Sequence, residues 1–148
     1  MRTTIFNSFQ TIGPCFVLWL TVICSSTAIA DARLCTVEEA HWAEAAAAVA
    51  TSWKQLHRQF EQYAHCDDGA IAEGFSESIT LLLADHWKTL RQIEPMIMAE
   101  PPFRKFIVRH IDETVPAKRL QRIARNASQQ CPRNLKSFCQ DIQAAATK

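Results

Sequence analysis

Three groups of side chains in this sequence have the types and spacing for chemistry. Asp67, Asp68, Glu73 and Glu77 form the densest acidic group, and Glu73 and Glu77, four apart, share a helix face. Such a face could receive a cationic partner, or calcium, although the spacing is not that of an EF-hand. Lys118, Arg122 and Arg125 recur at i, i+4 and i+7, and Arg104, Lys105 and Arg109 make a similar patch ahead of them. These cations could bind an anionic envelope polymer, lipid headgroups or an acidic protein. Both groups also have a plain structural reading, the two Asp as helix caps and the basic residues as a solvated face. The third group is Cys35, Cys66, Cys131 and Cys139, read as disulfides. A four-cysteine zinc site would want close C-x-x-C spacings, which these lack. Glu38-x-x-His41 has the spacing of half a di-iron site, but no second Glu-x-x-His accompanies it. There is no G-x-S-x-G and no H-E-x-x-H. No catalytic residue, metal or cofactor is expected, and the chain is read as a non-enzyme.

The compartment follows from the first thirty residues. Arg2 is their one charge, Ile12 to Ile23 is mostly apolar, and Ala28-x-Ala30 offers a small-residue cleavage site. This is the layout of a cleavable secretory signal peptide over 1–30. The apolar run of 12 residues is short against the roughly 20 that a membrane span needs. Cleavage would remove Cys15 and Cys24 and leave a domain of residues 31–148, periplasmic or secreted, with no membrane span. That domain has 15 basic and 15 acidic residues, distributed unevenly. Residues 31–100 carry 5 Lys/Arg against 12 Asp/Glu, whereas residues 101–148 carry 10 against 3. The asymmetry means either two separate partner surfaces or two halves that neutralise each other on folding. Export and zero net charge argue against nucleic acid.

The elements that must position these groups are helices. No stretch alternates apolar and polar for long enough to be a half-buried strand. The expected fold is all-α, a small disulfide-linked bundle of about five helices. Thr36-Val37-Glu38-Glu39 is a capping box for the first. Trp42, Ala46, Val49, Trp53, Leu56, Phe60 and Tyr63 then mark one inward stripe as far as Ala64. Asp67 or Asp68 caps a second helix, with Ile71, Phe75, Ile79, Leu82, His86, Leu90 and Ile93 inward, a bend or break at Asp85-His86 and a stop at Glu94-Pro95. Met96–Glu100 reads as a connector. Pro101 and Pro102 open a third helix, Thr114 caps a fourth with Pro116 in its first turn, and Leu135, Phe138, Cys139 and Ile142 mark a short fifth.

Helix length constrains the cysteines. An unbroken helix from Val37 to Ala64 would be about 40 Å long and would hold Cys35 and Cys66 at opposite ends. A break at Thr51-Ser52, where Ser52-x-x-Gln55 could be a second capping box, would let two pairs form. Otherwise Cys131 pairs locally with Cys139 and the other two stay unpaired. Three connectivities are open.

In architecture and address the layout resembles the periplasmic immunity proteins that bacteria use against envelope-directed toxins. It is also similar to insect odorant-binding proteins. There the gaps of 30 residues between Cys35 and Cys66 and 7 between Cys131 and Cys139 fit, while the absent Cys-x3-Cys pair and the 64-residue middle gap do not. The leading expectation is a binding protein, an inhibitor or immunity-type partner of an envelope-acting protein. The alternatives are a carrier of small apolar ligands, lined by Trp42, Trp53, Trp87 and Phe75, and a homodimer seamed along the Trp42–Tyr63 stripe.

Overall fold

The computed structural model describes residues 33–148. The expected signal peptide over 1–30, with Cys15 and Cys24, lies outside the described residues. Seven α-helices and three 3-10 turns follow one another, with no strand among the described residues. The fold is the expected all-α disulfide-linked bundle.

α1 (Val37–Ala47) starts on the capping box. The Glu39 N–H donates to Thr36 Oγ1 at 3.2 Å, and the Thr36 N–H donates back to Glu39 Oε2 at 3.0 Å. Those bonds from the Thr36 backbone and hydroxyl hold the Glu39 carboxyl at a pKa of about 2. The helix ends eleven residues on, and α2 (Trp53–Tyr63) restarts behind Ser52, whose Oγ accepts from the Gln55 N–H at 3.3 Å. The break falls at the expected place, but only half of the second capping box forms, since Gln55 Oε1 accepts from the Thr51 N–H at 3.2 Å and not from Ser52. The loose carbonyls at the break are satisfied by side chains from other elements. Gln59 Nε2 donates to the Ala46 carbonyl at 2.9 Å, and the Ser78 hydroxyl donates to the Ala47 carbonyl at 2.6 Å.

Because α1 and α2 are separate, the Trp42–Tyr63 stripe is not one face. Trp53, Leu56 and Phe60 are buried, but Trp42 and Val49 are 56% and 57% exposed. The inward residues of α1 are Ala43 and Ala47. Their small side chains let α1 lie close on α3 (Gly69–Asp85), where a Cβ on Gly74 would stand 2.9 Å from Ala47 Cβ. The stripe therefore cannot serve as a continuous dimer seam.

The break also folds Cys35 back to Cys66. These two form a disulfide with 4.9 Å between Cα atoms, and Cys131–Cys139 forms the second with 6.1 Å. A 3-10 turn (Ala64–Cys66) leads to Asp68, which caps α3 by accepting from the Gly69 N–H at 2.8 Å. Gly69 takes a φ of +51°, a left-handed value that suits glycine.

α3 ends at Asp85, and His86, expected inward, is exposed. The chain continues as a 3-10 stretch (Trp87–Ile93) into α4 (Glu94–Ala99), so the expected connector is a short helix with Pro95 in its first turn. A proline there forfeits no helical hydrogen bond, which is why Glu94-Pro95 opens a helix as readily as it closes one. α5 (Pro101–Arg109) begins as expected. α6 (Ala117–Gln129) is preceded by Pro116, and Thr114 instead bonds Asp112 Oδ1 through its N–H at 2.9 Å and its hydroxyl at 2.6 Å. After a 3-10 turn (Arg133–Leu135), α7 (Lys136–Ala146) closes the bundle.

An aromatic cluster fills the centre. The Phe106 ring lies 4.9 Å from Phe60 and 5.0 Å from Phe75, with Phe103 5.1 Å from Phe60. Trp53 and Trp87 are buried and donate their indole N–H to Thr89 Oγ1 and the Gln130 carbonyl, each at 3.0 Å. Phe75, Trp53 and Trp87 are thus core residues, and Trp42 stands apart from them on the surface.

Candidate functional site

α5 carries its basic residues along one side of a groove shared with α7. The groove encloses about 710 Å³. Arg104, Lys105 and Arg109 rise from α5, Ser137 and Asp141 from α7, and Val108 and Ile111 supply apolar lining. Arg104 is fixed in place. Its Nε donates to Asp141 Oδ2 at 3.0 Å and its terminal nitrogen to Ser137 Oγ at 2.7 Å, with the guanidinium 5.5 Å from the Phe138 ring centroid. Lys105 is exposed and has no ion pair among the described residues.

A second cavity of about 410 Å³ adjoins the groove and shares Arg109 and Asp112 with it. Asp67, Glu73, Ser76, His110 and Thr114 also line it. At its edge Arg109 donates to Asp67 Oδ2, while its guanidinium lies 5.1 Å from the Phe106 ring centroid. His110 is buried. Its Nε2 lies 3.2 Å from Asp67 Oδ2 and its Nδ1 2.9 Å from Ser76 Oγ. Burial alone would raise the Asp67 pKa. Hydrogen bonding and charge from His110, then Arg109, outweigh it and hold the carboxyl below its ordinary 3.8.

Asp67, His110 and Ser76 are the residue types of a hydrolytic triad, and their contacts form a clamp between elements. Ser76 sits inside α3 and is buried, 7% exposed. What the three residues do is tie the start of α3 to the end of α5.

The ten charged residues singled out in the sequence separate into two kinds. Six are engaged within the fold, four of them in pairs between the two halves. Asp68 caps α3, Asp67 meets Arg109 and His110, Glu77 meets Arg119, Arg122 meets Asp85, and Arg104 meets Asp141. The acidic first half and the basic second half thus neutralise each other largely along α3. Lys105, Lys118, Arg125 and Glu73 are exposed and have no ion pair among the described residues. Of these, Lys105 lies in the groove and Glu73 in the adjoining cavity, while Lys118 and Arg125 line neither. Sequence reasoning placed Ser76 only as a flank of the acidic face and missed His110 and Arg119. The signal available was only that His110 follows Phe106 by four and so shares its inward face. Comparison with family models, curated proteins and solved structures found no match to this chain.

Proposed function

We propose that the chain is an exported, non-enzymatic binding protein that meets a protein partner through the groove between α5 and α7. The observation that carries this reading is the groove's make-up. It joins apolar lining from Val108 and Ile111 to a pre-set guanidinium at Arg104 and an unpaired ammonium at Lys105. Apolar area supplies affinity and fixed charge supplies register and selectivity, the division of labour seen in protein interfaces. Because Asp112, Glu113 and Asp141 line the groove beside Arg104, Lys105, Arg109 and Lys148, the matching partner presents an apolar anchor with an acidic side chain placed toward Lys105. The two disulfides suit an extracytoplasmic address. No helix among the described residues is long and apolar enough to cross a membrane. An inhibitor or immunity role follows if covering that anchor disables an envelope-acting protein.

Affinity capture from the native cell envelope, run in parallel with the parent and Lys105→Glu, tests this. Lys105 is exposed, so the variant keeps its helical circular dichroism and is expected to lose the partner that the parent retains. Equal recovery of the same proteins by both would refute the groove as the interface. For the immunity role, deleting the gene should sensitise cells to the product of a neighbouring gene; unchanged sensitivity to all of them contradicts that role.

A further inference from the structure

The disulfide ahead of α1 stands beside the imidazole of His65. Cys35 Sγ, Cys66 Sγ and a ring nitrogen of His65 lie within 4.8 Å of one another. His65 Nε2 is buried and makes no hydrogen bond with any described residue. Its neighbour is Glu39 Oε1, at 3.4 Å. The other disulfide has no such surroundings. Neither Cys131 nor Cys139 belongs to a comparable group of donors among the described residues.

Two sulfurs and an imidazole within reach of one point are donor types that zinc takes in tetrahedral sites, which can leave the fourth position to water. We propose that reduction of Cys35–Cys66 opens a zinc site formed by Cys35, Cys66 and His65, with water as the fourth ligand. A dithiol reductant gives two electrons and two protons to the disulfide and itself becomes a disulfide. Zinc then binds both sulfurs as thiolates and releases those two protons to water. Reoxidation by a disulfide or quinone oxidant withdraws two electrons, re-forms the S–S bond and expels the ion. Ion and disulfide exclude each other because they use the same sulfur electrons, and either one ties the start of α1 to the turn before α3. At a Zn–S distance of about 2.3 Å, two sulfurs on a tetrahedron stand about 3.8 Å apart. Cys35 can make that movement without cost to a helix, since it lies in the exposed segment ahead of α1.

The test uses a Cys131→Ala/Cys139→Ala chain, which keeps one pair of thiols, reduced with a water-soluble phosphine and titrated with Co²⁺ as the optical stand-in for Zn²⁺. The expected result is one Co²⁺ per chain, a thiolate-to-cobalt charge-transfer band with the visible bands of a tetrahedral site, and displacement by Zn²⁺. Adding His65→Ala should weaken Co²⁺ binding at least tenfold, the low end of what even an outer-shell partner contributes, while His41→Ala changes nothing. Should reduction lower helicity, Zn²⁺ is expected to restore it. The proposal is overturned if no charge-transfer band develops, or if the His65→Ala chain binds Co²⁺ as tightly as its parent, as an unfolded dithiol would.

Discussion

Asp67→Asn keeps the shape of a side chain that is 5% exposed and removes its charge. Two groups face that charge, the Arg109 guanidinium and the His110 ring with Nε2 at 3.2 Å. Removing one partner of a buried ion pair costs about 3–5 kcal/mol. Arg109 is 57% exposed, so water screens its share, and the expected loss lies at the lower end, about 3 kcal/mol. For a domain of this size that lowers the melting temperature by about 10 °C. The sign of the pH dependence follows from the lowered Asp67 pKa. A group depressed in the folded state adds stability above its unfolded value and loses it as pH falls through the folded one. The gap between parent and variant is therefore full at neutral pH and closes once the pH drops below 3.8 and through the lowered value. Thermal unfolding followed by circular dichroism, from about pH 7 to about pH 2.5, reads both quantities. A neutral-pH gap under about 0.5 kcal/mol, within the range of ordinary surface substitutions, would refute the clamp. So would a gap that stays constant into acid.

Gly74→Ala gains about 1 kcal/mol of helix propensity but puts a methyl 2.9 Å from Ala47 Cβ and 3.1 Å from the Ala48 nitrogen. Overpacking costs about 1–3 kcal/mol, so a net loss near 1 kcal/mol is expected, and a variant that melts above the parent contradicts the close α1–α3 contact. The two disulfides should differ in worth. Sequence separations of 31 and 8 give about 3.7 kcal/mol for Cys35–Cys66 and about 2.5 kcal/mol for Cys131–Cys139 by chain entropy. Urea unfolding of the Cys35→Ala/Cys66→Ala and Cys131→Ala/Cys139→Ala chains checks the order, and the reverse order contradicts it.

What was legible in the sequence was local. Thr36 and Ser52 cap helices because a hydroxyl three residues ahead of an amide needs nothing from the rest of the chain. The break at Ser52 and its consequence for Cys35 follow from the same chemistry. The orientation of α1 was not legible. Hydrophobic periodicity weights large side chains and so selected Trp42 and Val49, whereas the buried face is made of Ala43 and Ala47, chosen for smallness opposite Gly74. The groove was half legible. Its basic residues share a helix, but Ser137 and Asp141 come from α7, and no pattern along the chain brings them to Arg104. The clamp was out of reach for the same reason, since Asp67 and His110 meet across 43 positions.

The central claim is that a partner occupies the groove between α5 and α7. Backbone hydrogen exchange, measured on the chain alone and with the partner recovered from the envelope, tests it most directly. Slowed exchange is expected over α5 and α7, with α1 and α2 unchanged. Protection confined to α1 and α2, with α5 and α7 exchanging as in the free chain, would contradict it.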